Sequence, residues 1–137
     1  MDTLPGIEVG RVIGAWQLVA LTATDVNGAA THPLGTEARG MLIYTPDGHV
    51  SAQIAGPDGY IGYVGTYQWL GDRVVHRSLV GSPTEFSGAE LPRTARLEAG
   101  RLSLASLSTN GYPVLTATWQ RVTPAPDAPN VGTGEQR

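Results

Sequence analysis

From residue 15 onward, apolar and polar residues alternate in short runs broken by turn residues, the signature of an all-β meander. The alternation predicts strands over 15–25, 39–45, 49–55, 60–70, 73–80, 92–98, 101–108 and 113–121. A short extra piece falls within 29–34, before Pro33-Leu34-Gly35. Ahead of the first strand, 7–13 (IEVGRVI) reads as a turn or two of helix that Gly14 ends. From Thr123 the chain is rich in Pro, Gly and Ala with nothing to bury, so 1–122 reads as one domain and 123–137 as a disordered tail.

The turns fix register. Pro46-Asp47-Gly48 fits a three-residue loop in which Pro sets φ and Gly takes the left-handed position of a bulge. Gly71-Asp72, Ala99-Gly100 and Asn110-Gly111 read as two-residue hairpin loops. The first sets Trp69 opposite Val74, Tyr67 opposite His76 and Gly65 opposite Ser78. The second pairs Leu97 with Leu102 and Ala95 with Leu104. The third pairs Leu107 with Val114, Leu104 with Ala117 and Leu102 with Trp119. Two independent turns thus bring Leu97, Leu102, Leu104, Ala117 and Trp119 to one face, the inner one.

Eight antiparallel strands joined mostly by tight turns close most simply into an up-and-down barrel, which leaves no exposed edge. An immunoglobulin-like sandwich needs longer crossovers, and only 82–91 has the length. An eight-stranded interior holds side chains or one small ligand, and the small residues Gly65 and Ala117 favour a cavity.

Composition narrows the chemistry. The 137 residues suffice for one domain with a core, and the formal net charge of −3 with no basic run gives nucleic-acid binding no footprint. No unbroken apolar stretch has membrane-helix length and no secretory leader opens the sequence, so the expected location is cytoplasmic. Cysteine is absent, which excludes disulfides and thiolate chemistry. Lysine is absent too, which excludes Schiff bases and fits a GC-rich bacterial genome. The three histidines, His32, His49 and His76, show no ligand spacing, and no phosphate loop or nucleophile motif occurs. Neither a metal nor a cofactor is expected.

The chain resembles the bacterial lipocalin-like domain family, small calycin-type barrels, over roughly Gly14 to Val122. Gly14-Ala15-Trp16, Pro33-Leu34-Gly35 and the run from Ala38 to Gly48 (ARGMLIYTPDG) carry the resemblance. So do Ser51-Ala52-Gln53, Tyr63-Val64-Gly65-Thr66-Tyr67, Gly71-Asp72, Arg93 and Gly100-Arg101-Leu102. It implies an eight-stranded lipocalin-like barrel with an internal pocket. Lipocalin-like barrels bind apolar small molecules, and some related barrels catalyse cyclisations. The resemblance also implies a structural stack of Arg121 on Trp16 across the closed end. Where many members show a histidine pair, this chain has His76-Arg77.

Candidate site residues follow from the inner faces. Tyr63, Tyr67 and Trp69 alternate along one strand and carry His76 inward with them. There it is either a core histidine satisfied by a tyrosine hydroxyl or, with Tyr67, a catalytic pair that polarises a carbonyl. Ser78, Leu104 and Trp119 complete the expected wall. Arg93 shares the face of Ala95 and Leu97; it either reaches solvent at the mouth or grips a ligand oxygen. His49, Ser51 and Gln53 share the more polar face of their strand and are placed outside. Segment 82–91 is either a surface loop or a lid with Phe86 closing the pocket. The expected function is a barrel holding one small, mostly apolar organic molecule; its catalytic form is a cofactor-independent cyclase or isomerase of a polyketide-like metabolite. A non-catalytic carrier or sensor, and a module that acts through its surface, are the alternatives.

Overall fold

The computed structural model describes residues 6–107 and 113–122. Its strands are β1 (Gly14–Thr24), β2 (Ala30–Thr31), β3 (Arg39–Tyr44), β4 (His49–Gly56), β5 (Gly59–Trp69), β6 (Arg73–Ser82), β7 (Glu90–Glu98), β8 (Arg101–Ser106) and β9 (Val114–Arg121). All pairings are antiparallel, each strand from β3 to β9 lies beside the next, and β1 pairs with both β3 and β9. Eight strands therefore close into an up-and-down barrel, with the two-residue β2 as a ledge on β1. The helical reading of 7–13 reduces to one 3-10 turn, Val9–Arg11.

The strands form where alternation lets one face be buried. On β6, Val74, His76 and Ser78 point inward and are buried, whereas Arg73 and Arg77 face water. The turns set register as the sequence implies: Tyr67 stands opposite His76, Trp69 opposite Val74, and Ala95 opposite Leu104. Asn110-Gly111 and the tail from Thr123 lie outside the described residues. The pairs flanking that turn, Leu104 with Ala117 and Leu102 with Trp119, are the expected ones. Gly48 takes a φ of 94°, as the bulge after Pro46-Asp47 requires.

Gly65 corrects one expectation. Its missing side chain opens no cavity: a Cβ there would collide with the Arg77 carbonyl on β6. At this point the register slips, Val64 pairing with Val80 and Gly65 with Ser78, so that Leu79 is the extra residue of a bulge. Glycine is needed for the close approach of two backbones.

The turns at 45–48, 70–72 and 99–100 lie at one end of the barrel, which residues 6–13 plug. The Ile7 amide donates to the Gly71 carbonyl at 3.0 Å, and the Trp69 indole N–H donates back to the Ile7 carbonyl at 2.7 Å. The Trp16 indole N–H is satisfied by the Val12 carbonyl at 2.8 Å. The Arg121 guanidinium lies 4.4 Å from the Trp16 ring centre and donates to the Ile13 and Arg11 carbonyls. One arginine thus ties the last strand to the first and to the plug. The other end of the barrel, with 57–58 and the 83–89 segment, is the one toward which the interior opens.

Candidate functional site

The inner faces of β3, β5 and β6 bring three polar side chains together in an otherwise apolar interior. His76 is 1% exposed. Its Nε2 lies 2.6 Å from the Tyr44 hydroxyl and its Nδ1 lies 2.7 Å from the Tyr63 hydroxyl. Burial, with the Arg93 cation adding to it, pushes the His76 pKa down to about 3, so the ring is neutral at physiological pH. Burial likewise raises the Tyr44 pKa well above its ordinary value and raises that of Tyr63, which Arg93 partly offsets. The trio is uncharged and both ring nitrogens are engaged.

Beside the trio lies a cavity of about 60 Å³. Its apolar wall comes from Leu21, Leu42, Ala52, Ile54, Ile61, Leu104, Leu115 and Ala117, and its polar members are Tyr63, His76, Arg93 and Trp119. Phe86, from the 3-10 turn Thr84–Phe86, covers part of it and stacks on Tyr63 with ring centres 5.9 Å apart and planes 11° apart. The volume falls below the roughly 150 Å³ of an apolar cavity that admits benzene. A larger guest must displace Phe86 or extend through the mouth.

The expected residues divide into two groups. Tyr63, His76, Arg93, Leu104 and Trp119 line the cavity, and Ala117 supplies the room assigned to it. Arg93 therefore faces the interior, half-buried beside Tyr63, with one guanidinium N–H on the Pro92 carbonyl at 2.9 Å. Tyr67, Trp69 and Ser78 are not brought to it. Tyr67 stands opposite His76 on the backbone, but its hydroxyl donates to the Thr45 carbonyl at 2.9 Å, at the plugged end. Trp69 is spent on the plug. Ser78 hydrogen-bonds the Phe86 carbonyl and accepts from the Ala89 amide at 3.1 Å, pinning the loop that carries Phe86.

The residue that sequence reasoning missed is Tyr44. It lies on the inner face of β3, packs edge-on against Tyr67 at 4.6 Å and Trp69 at 5.9 Å, and takes the partnership with His76 assigned to Tyr67. Hairpin registers do not reveal it, because β4 and β5 separate β3 from β6. The signal available was an inward tyrosine at the level of an inward histidine.

His49 is outside, its Nδ1 3.1 Å from the Asp47 carboxylate; hydrogen bonds from Thr45 and then from His49 hold Asp47 below its usual pKa. Ser51 and Gln53 share that outer side and hydrogen-bond each other at 3.2 Å. Among the described residues, no three of His, Cys, Asp and Glu converge to hold a metal ion. No helix among the described residues is long and apolar enough to cross a membrane.

Comparisons with known proteins agree with this geometry. Residues 13–59 match the model of the lipocalin-like domain family, and that stretch contains the run from Ala38 to Gly48 and the site's Tyr44. A solved redesigned β-barrel aligns with a TM-score of 0.51 over 83% of this chain and 94% of that one, at 19% sequence identity, a likeness of fold alone. No curated protein matches. The closed strand order makes the chain an eight-stranded antiparallel up-and-down β-barrel, similar over residues 13–59 to the lipocalin-like domain family.

Proposed function

We propose that the barrel holds one small, mostly apolar organic molecule in the cavity beside Tyr63, and that this interaction is its function. The observation that carries the reading is the wall itself: eight aliphatic side chains and Phe86 around a few grouped polar ones. That is the composition of small-molecule sites, in which apolar area supplies affinity and a few polar groups set orientation. The reading also has a catalytic form. A confined, flexible substrate is folded into a reactive shape while the Tyr63 hydroxyl, oriented by His76, polarises its carbonyl oxygen. Cyclisation or isomerisation of a polyketide-like metabolite needs no cofactor under that scheme. His76 acts there as a positioning residue, because its nitrogens are occupied by Tyr44 and Tyr63.

One observation favours the alternative of a carrier or sensor. Among the described residues, no carboxylate lines the cavity and its imidazole is neutral and engaged, so this wall offers no ready proton acceptor. Native mass spectrometry of the protein purified from its source without extraction tests the common claim. The expected result is a single retained mass that Ala117→Phe, which fills the cavity, eliminates. Retention undiminished in Ala117→Phe would place the molecule elsewhere and overturn the reading. Turnover of that molecule, lost in Tyr63→Phe while binding persists, would select the enzyme over the carrier.

A further inference from the structure

The hydrogens of the buried trio can be assigned by counting. Tyr44 is 1% exposed, and its hydroxyl has one hydrogen-bond partner among the described residues, His76 Nε2. A buried hydroxyl proton left unpaired is costly, so Tyr44 donates to Nε2. A neutral imidazole carries a single N–H, which then sits on Nδ1 and donates to the Tyr63 oxygen. Tyr63 receives that bond and keeps its own proton, and it is Tyr63, not Tyr44, that lines the cavity. The relay runs one way, from Tyr44 through His76 to Tyr63 and out into the cavity.

The other polar wall groups have the same sense. Arg93 has only donors, and among the described residues no carboxylate lies within ion-pair distance of it. Each of the other exposed arginine pairs, such as Arg77 with Glu90 at 3.1 Å, shows what such a partner would look like. Trp119 supplies an independent observation. The protein has three tryptophans. Trp16 and Trp69 each give their indole N–H to a backbone carbonyl. Trp119 is 1% exposed, lines the cavity, and its Nε1 has no partner among the described residues. Among the described residues, no Asp, Glu, Asn or Gln lines the cavity to receive any of these hydrogens.

We propose that the ligand is an organic acid: an apolar body against Leu21, Leu104, Leu115 and Ala117, and a carboxylate or enolate oxygen received by the hydrogens of Tyr63, Arg93 and Trp119. This inference rests on the reading of the cavity as a small-molecule site and specifies what it takes. A hydrocarbon leaves the hydroxyl and the indole N–H unpaired. An ammonium finds no acceptor and meets the Arg93 charge. An anionic oxygen satisfies all three donors and neutralises a half-buried cation. The same constellation suits the developing negative charge of an enolate, which ties recognition to the catalytic form of the proposed function.

The test uses phenylacetate, ethylbenzene and 2-phenylethylammonium, three probes with one ring and different ends, titrated into the full chain labelled with nitrogen-15. The indole N–H signals of the three tryptophans are followed. Phenylacetate is expected to bind roughly tenfold or more tighter than ethylbenzene, the worth of one good charge-assisted hydrogen bond. It is also expected to move the Trp119 signal downfield while those of Trp16 and Trp69 stay. The ammonium should bind weakest, and Arg93→Gln should reduce phenylacetate to the level of ethylbenzene. The series is repeated on Phe86→Ala, so that a closed mouth does not mask binding. Ethylbenzene binding as tightly as phenylacetate overturns the acid and leaves the cavity standing as an apolar site. Failure of all three probes on both proteins overturns the acid and the small-molecule reading together.

Discussion

The Tyr44 hydroxyl and His76 Nε2, 2.6 Å apart, join two strands that are not neighbours in the sheet. The bond crosses the barrel interior, and with Tyr63 on the other ring nitrogen it gives the core its polar centre. Tyr44→Phe leaves Nε2 buried without a donor. The variant is expected to lose about 1–3 kcal/mol of stability, read by urea denaturation, the usual cost of orphaning a buried polar atom. Unchanged stability would show that Tyr44 holds nothing in place.

The depressed pKa of His76 makes stability depend on pH with a definite sign. Above the unfolded value near 6.5 both states are neutral and the contribution is complete. As pH falls toward about 3 the unfolded chain takes up a proton that the folded one refuses, so stability declines through that window. By pH 4.5 the loss from this one group is on the order of 2–3 kcal/mol. Denaturation at pH 7, 5.5 and 4.5 checks it against His76→Gln, in which this part of the slope disappears. A wild-type slope no steeper than the variant's would contradict the assignment.

Gly65→Ala places a methyl group where the Arg77 carbonyl already stands. Relief requires the β5–β6 bulge to open, and an expected loss of about 1–3 kcal/mol follows from overpacking of this kind. Thermal unfolding measures it. If the glycine merely left space beside His76, the same substitution would be neutral or stabilising.

Arg121→Ala removes the cation from the Trp16 face and two hydrogen bonds to the plug. About 1–2 kcal/mol of stability should go, while binding of any cavity ligand stays as it was, because neither residue lines the cavity. Calorimetry of ligand binding alongside unfolding separates the two effects. A weakened ligand with unchanged stability would make Trp16 and Arg121 part of the site.

Local pairing was legible in the sequence because turns are local. Gly71-Asp72 alone set the register that carries Tyr67, Trp69 and His76 inward, and Ala99-Gly100 set that of Arg93, Ala95 and Leu97. Contacts across the barrel were not legible. Facing residues share a direction, but the length and lean of a side chain decide what its end touches. Tyr67 faces His76 and yet reaches the Thr45 carbonyl, while Tyr44 arrives from a strand that two others separate from that of His76. The choice between mouth and interior for Arg93 likewise turns on where the guanidinium ends, which backbone register leaves open. Gly65 was misread because an absent side chain has two physical causes, room for a ligand or room for a backbone, and the pattern of the strand is the same for both.

The central claim is that guests enter the barrel and meet Tyr63, and intermolecular nuclear Overhauser effects from phenylacetate locate it most directly. The account predicts contacts from the probe's ring protons to the methyl groups of Leu104, Leu115 and Ala117 and to the ring of Phe86, all on the cavity wall. Contacts confined instead to the outer groove formed by Gln53, Val64 and Val80 would contradict it.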